Sequence, residues 1–267
     1  MQSNIAKELN MKFMPIVLLK SDEKPENAIG PKKGGCIMSF VAQTIAKRKT
    51  TCIGREDASC GGLPVAFGWG SGMANEDAID FQATFLSLGV ESAPDRKSYE
   101  ERLNYMPKRT SEMFRHGERI LCDFQTAKTN IKNRPIYDDE DYVIFKGLEN
   151  LDDGEIPRSV IFTVNLIELT ALIQINSSFR VKDSYILTPP ASACQAIGCF
   201  TFEQDDSDDP KPVLGPIDFA GRRKMKHFIP NDYLTVSMPW KLFLKLEKLS
   251  AKSVLQTDLL KKFIEWK

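Results

Sequence analysis

Cys36, Cys60 and Cys194 stand beside glycine or other small residues, where a thiol can most readily act as a ligand or nucleophile. Cys36 follows Gly34-Gly35, Cys60 precedes Gly61-Gly62, and Cys194 follows Ser192-Ala193. Cys36 also opens a segment whose apolar residues Ile37, Phe40, Val41 and Ile45 recur at helical spacing. Its sulfur would therefore sit at the positive end of a helix dipole, which favours thiolate over thiol. The glycines after Cys60 continue at Gly68, Gly70 and Gly72. Such backbone can approach a ligand closely or turn several N–H groups toward an anion or a cluster sulfide.

Three kinds of chemistry suit these residues. The first is a thiolate-bound metal or an iron–sulfur cluster with a redox role, ligated by Cys36, Cys60 and Cys194, with Cys52 or a non-protein group in a fourth position. The second is a metal-free binding module in which Gly61, Gly62 and the guanidinium of Arg222 hold a small anionic molecule. The third is a thiol enzyme using Cys36 or Cys60 as nucleophile. Each residue also has a plainer reading. Cys36 is then the first buried residue of its helix, the glycines form a wide turn, and Arg222 joins a surface ion pair. The local cysteine spacing matches neither the paired motifs of zinc sites nor a ferredoxin run, and His116 and His227 are the only histidines, so a metal would have to rely on sulfur. Cys122, in Ile120-Leu121-Cys122, and Cys199 read as core residues, and the acidic run Asp205 to Asp209 reads as a solvated loop. Nucleophile-elbow, P-loop and dinucleotide-binding fingerprints are absent; Gly68-Trp69-Gly70 lacks the glycine three residues on.

The elements that must position these residues follow from pattern. Met14 to Leu19, Thr50 to Ile53, Glu118 to Phe124, Asp141 to Phe145, Arg158 to Val164, Tyr185 to Leu187 and Tyr233 to Met238 read as strands. Helices are expected over Cys36 to Arg48, Asn75 to Leu88 with a Gly89 stop, and Asp95 to His116 broken at Pro107. Another runs from the Asn165/Glu168 capping box to about Ser177. Ala191 to Ala196, Pro239 to Leu249 and Val254 to Trp266 complete the set. Strands and helices do not alternate strictly, so the fold class is α+β, a mixed sheet with packed helices in one domain over residues 1–267. The order strand, helix, strand, cysteine recurs over about 14–72 and 158–204, which would set Cys60 and Cys194 at equivalent places in two similar halves; chance likeness is the alternative.

Bulk composition narrows the partners. The 267 residues are 42% hydrophobic, enough to bury a full core, and carry 36 basic and 36 acidic side chains, so no net field draws the chain to nucleic acid or an anionic membrane. The first 14 residues lack the apolar core of a signal peptide, and the longest apolar stretch, Ser159 to Ile175, is interrupted by Asn165 and Glu168. A cytoplasmic protein with reduced thiols and a small-molecule ligand is expected; the oligomeric state stays open.

Cys36 at the head of its helix, Cys60-Gly61-Gly62 with Gly68, the strand from Pro157 to Val164, Ser192-Ala193-Cys194, Asp218 with Gly221-Arg222, and Ser237-Met238-Pro239 together resemble the family called domain of unknown function 169, widespread in anaerobic archaea and bacteria. The resemblance spans most of the chain. It implies that Cys36, Cys60, Cys194 and Arg222 belong to the family pattern and that Cys52, Cys122 and Cys199 do not. It brings no biochemical activity with it, but a set of three cysteines in such a family suits an oxygen-sensitive cluster.

Overall fold

The structure is a computed structural model that describes residues 1–30, 36–57, 62–70, 75–137, 140–181 and 185–265. Six strands build one sheet: β1 (Ile16–Ser21), β2 (Thr51–Gly54), β3 (Tyr142–Gly147), β4 (Ser159–Val164), β5 (Val213–Gly215) and β6 (Leu234–Pro239). Their spatial order is β2-β3-β1-β4-β6-β5, and every ladder between them is antiparallel. The α+β class holds. The pairing is more uniform than the mixed sheet expected from the sequence, since among the described residues parallel pairing is confined to the isolated bridges Ile29–Thr51 and Leu187–Val213. Tyr185 to Leu187, read as a strand, contributes only that second bridge.

The central strands are apolar along their whole length because both faces of the sheet are covered. Side chains alternate across a strand, so Ile16 and Leu18 enter one core and Val17 and Leu19 the other. The first face, with Val17, Val160, Phe162 and Met238, is covered by α1 (Asn4–Glu8), α8 (Leu166–Ser177) and α12 (Trp240–Ser250). The second, with Leu18, Phe145 and Ile161, is covered by α2 (Ile37–Lys47), α3 (Gly62–Phe67), α9 (Ala193–Ile197), α10 (Cys199–Asp205) and α11 (Phe219–Met225). Fully burying a ring such as Phe145 or Phe162 contributes on the order of 2–3 kcal/mol. Farther out, α4 (Glu76–Leu86), α5 (Arg96–Asn104), α6 (Lys108–His116) and α7 (Phe124–Lys132) form a separate layer that meets α3 through Val65.

Local signals account for most boundaries. Asn75 caps α4, Asn165 and Glu168 form the capping box of α8, and Pro107 separates α5 from α6. Glu118 to Phe124 is not a strand. Its first four residues instead donate N–H groups to the carbonyls of Phe85, Leu86 and Ser87 at the end of α4, and α7 begins at Phe124. The expected C-terminal helix starts late: Val254–Gln256 is a single tight turn, and α13 (Asp258–Glu265) follows.

Read outward from the centre, the two halves of the sheet share one order, β1-β3-β2 and β4-β6-β5. The helices that follow β1 and β4, α2 and α8, pack on opposite faces. On the face of α2, the helices lying over the second half are α9 and α10.

Candidate functional site

Cys36 is the N-cap of α2, with extended backbone (φ −75°, ψ 132°), and is half-buried against the core of the second sheet face. Cys194 is the second residue of α9, also half-buried, and packs against the same core. Cys60 and Gly61 lie outside the described residues; Gly62 is the buried first residue of α3. The sequence thus enters α3 two residues after Cys60. α9 packs against α3, and it also touches α2 and α11.

Two glycines make the seating of α9 close. A Cβ at Gly221, on α11, would stand 2.6 Å from the Ala193 Cβ, and one at Gly198 would stand 2.1 Å from the Ala66 carbonyl oxygen of α3. Backbone can approach to that degree only where no side chain intervenes. A carboxylate completes the seat. Asp218 is 3% exposed, and its Oδ1 and Oδ2 accept the N–H groups of Ala193 (2.8 Å) and Gly221 (2.9 Å). Glu118 adds a second acid, its two oxygens accepting from Phe219 N–H (3.2 Å) and Ala220 N–H (2.9 Å). Burial holds the carboxyls of both Glu118 and Asp218 above the usual range, and for Glu118 the charge of Asp218 adds to that.

The model of the family described as uncharacterised ArCR, domain of unknown function 169, matches residues 4–248. The chain belongs to this family. No curated protein and no solved structure matches it. The match to domain of unknown function 169 spans all six strands, Cys36, Cys60, Cys194, Asp218 and Arg222, and stops before α13.

The remaining cysteines are placed differently. Cys52, the candidate fourth ligand, is fully buried on the other face of the sheet, packed in the core with Val17 and Ile144, and burial pushes its thiol up to about 11. The period of two along β2 decides this: Cys52 and Ile53 must face opposite ways. Cys199 is buried, as expected of a core residue, and its thiol is pushed up to about 12. Cys122 is not in the core; it is exposed beside Asp123, with its sulfur 3.1 Å from the carboxylate. Arg222 donates to the Asn231 carbonyl at 2.9 Å, which ties α11 to the turn before β6.

A polar cluster that hydrophobic patterning passed over lies on the same sheet face. Lys20 Nζ donates to the Tyr137 carbonyl at 2.7 Å, and both Lys20 and Arg158 lie over the rings of Tyr137 and Phe202. Glu140 and Asp205 stand 3.6 and 3.7 Å from these cations and balance their charge. The one sequence signal for it is Lys20, which falls on the inward parity of Ile16 and Leu18. Among the described residues no group of three or more His, Cys, Asp or Glu side chains is arranged to hold a metal ion, and none of the helices is long and apolar enough to cross a membrane.

Proposed function

We propose that the chain binds a metal or an iron–sulfur cluster through thiolates, with Cys36, Cys60 and Cys194 as protein ligands, and serves a redox role. One observation carries this reading: the helix bearing Cys194 packs against both the helix headed by Cys36 and the helix that the sequence enters two residues after Cys60. Cys36 and Cys194 are half-buried, as suits a ligand that must shield a metal yet admit it. Cys52 is left out of the proposed ligand set, because it faces the opposite core. A fourth position is left to a non-protein group, which would keep one coordination site open to an exogenous molecule.

The test is anaerobic purification of the full chain, followed by iron, sulfide and zinc analysis and a visible absorption spectrum. The expected result is stoichiometric metal; if the metal is iron, a thiolate-to-metal charge-transfer band accompanies it. Cys36→Ala, Cys60→Ala and Cys194→Ala each remove the metal, while Cys52→Ala and Cys122→Ala retain it. Wild-type protein that carries no metal under these conditions and takes none up on reconstitution would overturn the proposal.

A further inference from the structure

We infer that Asp218 is a positioning residue for Cys194: its buried carboxylate fixes the first turn of α9 and so sets where the Cys194 sulfur points. The inference rests on reading Cys194 as a ligand, but its geometry is independent of that reading. α9 has five residues, too few to hold a helical conformation unaided. Its first N–H, from Ala193, is one of the donors that a helix N-terminus leaves unpaired, and it goes to Asp218 Oδ1 across 25 residues of sequence. The next residue is Cys194, so the residue carrying the thiol directly follows the one anchored by that hydrogen bond.

Asp218 is distinguished from an ordinary N-cap by doing two jobs at once. Its Oδ2 caps its own helix through Gly221 N–H, and its Oδ1 caps a different helix. Only a carboxylate offers two acceptor oxygens in that arrangement, whereas an asparagine caps one helix and presents N–H donors toward the other. The helix that Asp218 begins is also secured without it, because Glu118 accepts the N–H groups of Phe219 and Ala220. Asp218→Asn therefore leaves α11 capped, since asparagine is as good an N-cap as aspartate, and withdraws the acceptor from α9 alone. A Cβ at Gly221 would stand 2.6 Å from that of Ala193, so the first turn of α9 lies directly against α11.

The experiment uses the full chain, wild type and Asp218→Asn, with two readouts. Anaerobic metal titration should show affinity about 10–100-fold weaker in the variant, with a shifted charge-transfer band, as when a group that orients a ligand is lost. On metal-free protein, iodoacetamide labelling followed by peptide mass spectrometry should show a several-fold change at Cys194 with Cys36 unchanged. Equal affinity, spectrum and Cys194 labelling in the two proteins would overturn the inference. If the wild type binds no metal, the ligand reading falls, and the labelling readout still decides the role of Asp218. If the variant does not fold, hydrogen exchange of the wild-type Ala193 amide decides: slow exchange upholds the bond to Asp218, and exchange at the rate of an open amide refutes the inference.

Discussion

At the scale of single residues, the five described cysteines separate by where they sit in the fold and how much water reaches them. Cys52 and Cys199 have thiols pushed up to about 11 and about 12 by burial, and a thiol that stays protonated neither alkylates nor binds metal. Labelling native protein with a maleimide near pH 8 should therefore modify exposed Cys122 first and leave Cys52 and Cys199 unmodified until denaturant is added. Rapid labelling of Cys52 in native protein would contradict its place in the core. Gly198 allows an equally sharp test. Its missing Cβ leaves room for the Ala66 carbonyl oxygen, which an added methyl would meet at 2.1 Å, and a carbonyl within a packed helix has little freedom to yield. Gly198→Ala should cost about 3 kcal/mol or more in urea unfolding, whereas Gly154→Ala, with nothing within 4 Å, should cost less despite its positive φ of 89°.

At the scale of elements, much was legible because the signals were local. The capping box at Asn165/Glu168, the Asn75 cap, the break at Pro107 and the apolar runs of β1 and β4 each depend on a few consecutive residues. The misread elements depend on distant partners. Ile120 and Leu121 look like part of a strand because they are apolar, but their N–H groups serve the carbonyl end of α4, and Leu121 packs with the helical residues Leu86 and Ile131. β5 is three residues long and leaves no strand pattern in the sequence, since its pairing with β6 comes from tertiary contact and not from period. The candidate site was legible in part for the same reason. Glycine and cysteine mark themselves in sequence, but the acids that hold the starts of α9 and α11 are far away in the chain: Asp218 is 25 residues from Ala193, and Glu118 is 102 residues from Ala220. Glu118 makes a pH test possible. Its folded pKa is raised above its ordinary 4.5, first by burial and then by Asp218, so the protonated form favours folding. That contribution is complete below the ordinary value and is lost as pH rises through the raised one. Lowering pH from about 7 toward about 4.5 should therefore shift the difference in unfolding free energy between wild type and Glu118→Gln in favour of the wild type. A difference that moves the other way would mean that the two backbone N–H bonds to Glu118 outweigh its desolvation.

At the scale of the molecule, the question is whether the two halves of the sheet are independent. The ladder joining them is short: β1 and β4 pair at three positions, Ile16–Ile161, Val17–Val160 and Leu18–Ser159, as few as the edge pair β5–β6, while β1–β3 and β4–β6 each pair at six. On hydrogen bonds alone the sheet would open at this seam. Apolar packing opposes that on both faces. One core joins Val17 and Ile144 of the first half to Phe162 and Val236 of the second, and the other joins Leu18 and Phe145 to Ile161 and Ile197. Burial of side chains this size is worth roughly 1.5–3 kcal/mol each, against a net of about 1 kcal/mol for a backbone hydrogen bond, so the cores decide the outcome. Heating should therefore give a single calorimetric transition whose van't Hoff and calorimetric enthalpies agree. Leu18→Ala, which removes a fully buried side chain at the seam, should lower stability by about 2–5 kcal/mol and keep that transition single. Two resolved transitions, in the wild type or appearing in Leu18→Ala, would show instead that each half holds its own core. α9 packs over the second half while contacting α2 and α3, which come from the first, so in that case a metal held as proposed by Cys36 and Cys194 would be lost at the lower transition.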